Sequence, residues 1–417
     1  RRVTMTNFET QIRVSQAPEV YGLWGRAFRP FFLLMAVFGV VAIVVWVSMW
    51  SGRLALPTWG RVSWWHGHEL IFGFAAAAVA GFILTASAVW SGRRAVQGLP
   101  LMALVFVWLL GRVAFLLSAY VPSWVVACCD LVFLPLVAGC LIWTLYGSGQ
   151  WRNYALVAVL IALTMCNLMM HLAVLGIEVT PLFGLIQLQL SGEAALRAAI
   201  DIVILLLSII GGRIIPPFTA NALNRDGVEH AIKRFVWLDR SIIGVFVLLT
   251  LTRILSVQTG MLVLSIAAAA LTVGRMWTWQ TWRTLHYPLL WSLHAGTFWI
   301  VVGLMLDAAW LAGLSIPAST GVHALTIGAI SGSILAVVTR VGLGHTGRLL
   351  SLPVGAVWIY VAINLAALTR VILVITPANY YSEMLWLSAV CWSFAMLLFV
   401  NRYFSILVNS RPDGRPG

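Results

Sequence analysis

Stretches of about 20 apolar residues recur twelve times along the chain, and nothing else in the sequence limits the fold as strongly. A helix needs roughly that length to cross a bilayer core of about 30 Å. The stretches run over 31–50, 66–90, 99–117, 122–146, 153–175, 193–211, 235–255, 260–281, 287–310, 320–341, 353–375 and 380–404, joined by short loops. Only 9% of the 417 residues are charged, against roughly 25% in soluble domains. The pattern predicts an all-α polytopic membrane protein with about 12 transmembrane helices in one bundle over 31–404. A cytoplasmic N-terminal segment, 1–30, and a cytoplasmic tail, 405–417, flank it.

The charge balance is basic, +13, yet the cations stand singly or in pairs between apolar runs. That excludes a nucleic-acid surface, which clusters them on one solvated face. With helices alternating in direction, 20 Lys and Arg fall beside one set of loops, and only Arg53 and Arg61 beside the other. This positive-inside asymmetry predicts that both termini are cytoplasmic. The first 30 residues carry five arginines and lack the apolar core of a cleavable signal peptide. None of the five cysteines belongs to a C-x-x-C motif, so neither a disulfide framework nor a structural zinc site is expected.

Four arginines, Arg112, Arg197, Arg253 and Arg370, lie inside apolar stretches, where each costs about 2.5–3.5 kcal/mol to insert. Something anionic must meet them. The alternation places all four in the outer half of the bundle, where they could neutralise the propionates of a haem. Glu193, Arg197 and Asp201 follow one another at i, i+4 and i+8 on one helix face. They form either a self-neutralising ladder or a route for protons or a cofactor.

Histidine placement carries the chemistry. His66 and His68 open the second stretch, His171 lies near the outer end of the fifth, and His323 near the outer start of the tenth. Neutral imidazole is a common axial ligand of haem iron and a good copper ligand. His294 is about two turns into the ninth stretch from the inner side, while His230, His286 and His345 fall at inner loops or edges. In Trp65-His66-Gly67-His68-Glu69, two helical residues project about 200° apart, so His66 and His68 serve different sites. An extended start at Gly67 would instead turn both toward one metal. Glu69, three residues after His66, could orient that ring. Cys166, Met169 and Met170 beside His171 offer soft sulfur to copper, or simply fill the core. Gly328 and Gly332 form a G-x-x-x-G helix-packing signal. Gly211-Gly212-Arg213-Ile214-Ile215-Pro216-Pro217 and the glycine-rich segment 342–348 read as tight turns. Pro135 is then the one proline well inside a stretch.

The segments WHGHELIFGFAAAAVAGFILTA (65–86), GGRIIPPFTANAL (211–223), PLLWSLHAG (288–296) and HALTIGAISGSILAVVTRVGLGHTGR (323–348), with LWGRAFRPFF (23–32), resemble the NnrS family across nearly the whole chain. Those are haem- and copper-containing membrane proteins linked to nitric oxide metabolism in denitrifying bacteria. The resemblance implies a multi-pass protein of the bacterial inner membrane that holds haem, expected as b-type, with copper as a second metal. It also implies nitric oxide as ligand, an electron donor of unknown identity, and a part in resisting nitrosative stress. At matching positions it offers His66, His68, His171, His294, His323 and His345 as candidate metal ligands. The family often has methionines before the Thr-Arg of the tenth stretch; Val337 and Val338 stand there in this chain, so no methionine ligand is available at that point.

Under the first functional reading the protein binds nitric oxide on a haem and reduces it in turn, with Glu69 or Glu193 as proton donor. Under the second it is a secondary transporter with a buried charged substrate site. Under the third it is a haem-dependent sensor or assembly factor without turnover. Twelve spans with internal histidines also invite comparison with haem-copper oxidases and nitric oxide reductases, but the chain has no adjacent His-His pair.

Overall fold

The computed structural model describes residues 22–55, 59–177, 191–225, 232–373 and 378–414; His230 and most of the expected N-terminal segment lie outside them. Twelve helical segments follow in order, with no strand among the described residues: α1 (Phe28–Trp50), α2 (Val62–Ser91), α3 (Leu99–Leu116), α4 (Ser123–Leu145), α5 (Trp151–Val174), α6 (Gly192–Arg225), α7 (Val236–Ile254), α8 (Gln258–Thr278), α9 (Pro288–Leu311), α10 (Ser319–His345), α11 (Val357–Ile372) and α12 (Tyr381–Val408). Ten of these are long and apolar enough to cross a membrane. The other two fall short for visible reasons: α7 carries Asp239, Arg240 and Arg253, and α11 has only 16 residues. An all-helical polytopic fold follows from solvent chemistry, because a helix satisfies its own backbone where no water can.

Local signals set the ends. Pro100 and Pro288 sit in the first turns of α3 and α9, where a missing N–H costs nothing. Gly92 closes α2 at φ +66, a conformation that a side chain would oppose.

α2, α6 and α10 are buried along most of their length. α1 packs against α2 and α12, α11 against α12, and α9 against both α8 and α10. The outward faces carry exposed apolar residues such as Phe106, Trp143, Ile161 and Val263, suited to lipid contact. Small residues bring α9 and α10 close: a Cβ added at Gly328 would lie 2.3 Å from Trp299, and one at Gly321 would lie 2.9 Å from the Asp307 nitrogen. The G-x-x-x-G expectation is met only by Gly328, since Gly332 has open space where a Cβ would be.

The segment expected to turn at Gly211–Pro217 is helical throughout, and α6 runs unbroken for 34 residues, about 51 Å at 1.5 Å each. Pro216 and Pro217 therefore join Pro135 inside helices. Burial of Ile215 against Trp279, Leu293 and Ala336 holds the chain there.

Two stretches open to i→i+5 bonding, Glu69–Ala75 in α2 and Ala324–Ser331 in α10. The Ala76 N–H reaches the Ile71 carbonyl and the Gly332 N–H the Ile327 carbonyl. Widened turns of this kind are frequent at functional sites, and here each directly follows a histidine singled out above, His68 and His323.

Candidate functional site

Because α2 is helical from Val62, His66 and His68 project to different sides, and the alternative in which both face one metal through an extended Gly67 is excluded. A Cβ at Gly67 would meet Leu196 at 2.4 Å, so this glycine lets α6 lie directly against α2 between the two imidazoles.

The first site gathers His68, Glu69, Arg112, Asp130, Asn167 and His171 from α2, α3, α4 and α5. His68 Nε2 lies 2.8 Å from Asn167 Oδ1 and 3.2 Å from Asp130 Oδ2, while His171 Nε2 lies 3.1 Å from the same carboxylate oxygen. Asn167 Nδ2 donates to Asp130 Oδ2 at 2.7 Å. Arg112 donates through Nη1 to Glu69 and through Nη2 to Asp130. Trp59 and Phe115 wall both imidazoles at ring distances of 4.4–5.9 Å. The backbone makes room for the arginine: a Cβ at Gly73 would stand 2.9 Å from Arg112 Nη1. In return Trp108 Nε1 donates to the Gly73 carbonyl at 3.1 Å, within the widened turn.

One nitrogen each from His68 and His171 and one oxygen from Asp130 lie within 4.8 Å of one another, a spacing able to hold a metal ion. Glu69 and Asp130 against Arg112 leave one net negative charge in a dry interior, and a cation or proton must offset it. Glu69 contacts His68 at 3.1 Å and so does not serve His66 as the sequence suggested. Asp130 and Asn167 were not singled out in the sequence, although Asp130 is a carboxylate in an apolar stretch, the same signal that marks Arg112.

The second site is a cleft on the other side of α2, lined by His66, His323, Arg370 and apolar residues including Trp46, Leu70 and Trp392. His66 stacks on Trp46 at 4.2 Å, and its Nδ1 is buried without a hydrogen-bond partner. His323 Nδ1 donates to the Ser319 carbonyl at 2.6 Å, which leaves Nε2 as a lone-pair donor. Thus the four outer histidines divide into two pairs, and His171 does not share a site with His323.

The four arginines of the apolar stretches, of which Arg112 and Arg253 are buried, do not gather on one anion either. Arg112 is taken by Glu69 and Asp130. Arg253 donates from Nε to Asp201 at 2.5 Å and from Nη2 to Asp307 at 2.8 Å, and Arg197 lies 3.4 Å from Asp307. The expected ladder within α6 is therefore replaced by pairing across α6, α7 and α9, with Asp307 an unanticipated partner. Glu193 is exposed at the start of α6, away from the buried carboxylates Glu69 and Asp130. Only Arg370 faces a cleft with no carboxylate beside it among the described residues; its side chain hydrogen-bonds Tyr381.

A family model, NnrS protein, matches residues 22–411. The chain belongs to the NnrS family. A comparison with curated proteins finds no match.

The remaining candidate ligands of this NnrS protein sit at the opposite end of the bundle. Thr281 Oγ1 donates to the Met276 carbonyl, so it accepts from His294 Nδ1 at 2.8 Å, and Thr219 donates to His294 Nε2 at 3.2 Å. Both nitrogens of His294 thus meet threonine hydroxyls. His345 lies on the Phe28 ring at 5.8 Å with Arg26 and Arg411 nearby, surroundings that repel a metal cation. Cys166 and Met170 are buried core residues of α5.

Proposed function

We propose that this NnrS protein is a haem-binding protein of the bacterial inner membrane that binds nitric oxide, with a transition-metal ion, copper by family resemblance, as its second cofactor. The observation that carries the reading is the cleft shared by His66, His323 and Arg370. Its residues fit a haem: two imidazoles, one orienting hydrogen bond to Ser319, a guanidinium with no carboxylate beside it among the described residues for a propionate, and aromatic walls.

Bound there, haem iron would supply coordination of nitric oxide and one-electron chemistry. The chain's own part is then plain. Ser319 fixes the His323 tautomer, Trp46 and Trp392 keep water out, and Arg370 offsets a carboxylate. The second ion would lie with His68, Asp130 and His171, held by one oxygen and two nitrogens and offset by the residual negative charge of that cluster. Glu69, 3.1 Å from His68 Nδ1, orients the ring, and the ion would take Nε2 in place of Asn167 Oδ1.

The test is the visible spectrum of the purified protein and its variants. A Soret band that shifts on addition of nitric oxide is expected, lost in His323→Ala and retained in His171→Ala. A Soret band of unchanged position and intensity in both His66→Ala and His323→Ala would overturn the assignment.

A further inference from the structure

The end of the bundle away from both sites holds a cluster with a different chemistry. It forms where the start of α1, the end of α10 and the end of α12 meet. Arg29 is 1% exposed; its Nη1 donates to the Leu407 and Asn409 carbonyls at 2.8 and 2.7 Å, and its Nε is buried with no partner. Arg26, Arg348 and Arg411 all lie within electrostatic range of it. Arg348 Nη1 is likewise buried with no partner. Arg411 donates to the His345 carbonyl at 3.0 Å and pairs with Asp413. Among the described residues, four guanidiniums thus stand against one carboxylate, an excess of three positive charges around two unsatisfied N–H groups.

We propose that this cluster is a phosphate site for an anionic phospholipid, formed by Arg26, Arg29, Arg348, Arg411 and the edge of His345. Like charges held together in a partly buried place are unfavourable unless an anion joins them. Phosphate matches the planar donor fork of arginine. A lipid supplies it because the cluster lies where three membrane helices end, and exposed Leu349 and Leu350 directly follow Arg348. Basic pockets between helices on the cytoplasmic face bind phospholipid headgroups in this manner. The site also gives His345 a role consistent with its cationic neighbours, which the metal-ligand assignment did not.

The experiment is native mass spectrometry of the full-length protein, released from nanodiscs of phosphatidylglycerol or of phosphatidylcholine, with an inorganic phosphate titration as a separate arm. One intact anionic phospholipid should be retained, phosphatidylcholine should not, and the double variant Arg26→Gln/Arg348→Gln should bind about thirtyfold more weakly for the two charges removed. A bare phosphate adduct in place of the lipid would assign the site to free phosphate instead. Equal retention of both lipids, no anion bound in either arm, or unchanged affinity in the double variant overturns the proposal. Among the described residues neither Arg26 nor Arg348 makes a side-chain hydrogen bond, and an unchanged melting temperature in phosphatidylcholine confirms that the variant is folded.

Discussion

Arg112 is the guanidinium held against two carboxylates, Glu69 and Asp130, that are 1% and 4% exposed. In Arg112→Met both carboxylates stay in place with no guanidinium between them, and loss of one member of such a buried pair costs about 3–5 kcal/mol. Asp130→Asn acts in the opposite sense, because it removes the excess negative charge and leaves Glu69 and Arg112 balanced. Its cost is the weakening of charge-assisted hydrogen bonds to neutral ones, about 1–2 kcal/mol. The two variants should therefore differ by about 2 kcal/mol, close to thirtyfold in the folded-to-unfolded ratio, when unfolding is followed by circular dichroism in mixed micelles. Ion binding should rank them in the reverse order of harm. Asp130→Asn loses a ligand oxygen and the charge that attracts a cation, so copper affinity falls by more than the roughly 10–100-fold typical of outer-shell losses. If Asp130→Asn is as unstable as Arg112→Met, or binds copper as tightly as the unsubstituted protein, the charge argument for this cluster is wrong.

Arg253→Met should also destabilise by about 3–5 kcal/mol, since Asp201 loses its partner and Asp307 keeps only Arg197, whereas Arg253→Met with Asp201→Asn leaves Asp307 against Arg197 and should recover most of the loss; a double variant no better than the single one refutes this, with thermal melts as the readout. Gly67→Val should push α6 away from α2 through Leu196 and disturb both sites at once, seen as loss of the Soret band together with loss of copper; retention of both signals would show that the close approach is dispensable.

How much of this was legible in the sequence varies with the kind of information required. Helix extents were, because apolar length is a local property: α9 was expected over 287–310 and is Pro288–Leu311. The exception is α6, expected to stop at residue 211 yet helical to Arg225, since burial of Ile215 and Pro216 in tertiary contacts outweighs the glycines and prolines. The division of His66 from His68 was one of two readings open in the sequence, and the helix that starts at Val62 decides it. The partners of the buried arginines were not. Arg112 reaches Asp130 and Arg253 reaches Asp201 and Asp307 across separate helices, and periodicity does not say which helices face each other. An apolar stretch scanned for acids as well as bases would have marked Asp130 and Asp307. The widened turns after His68 and His323 left no sequence signal, because they depend on what packs beside them, such as Trp108 on the Gly73 carbonyl.

A single rod of structure, the first turns of α2, carries a side chain for each site, one on either flank, with glycine between them and a loosened turn immediately behind. Rotating that rod moves both imidazoles together, so a motion that tightens His68 on Asp130 also resets His66 opposite His323. The two sites therefore share one support, the first turns of α2.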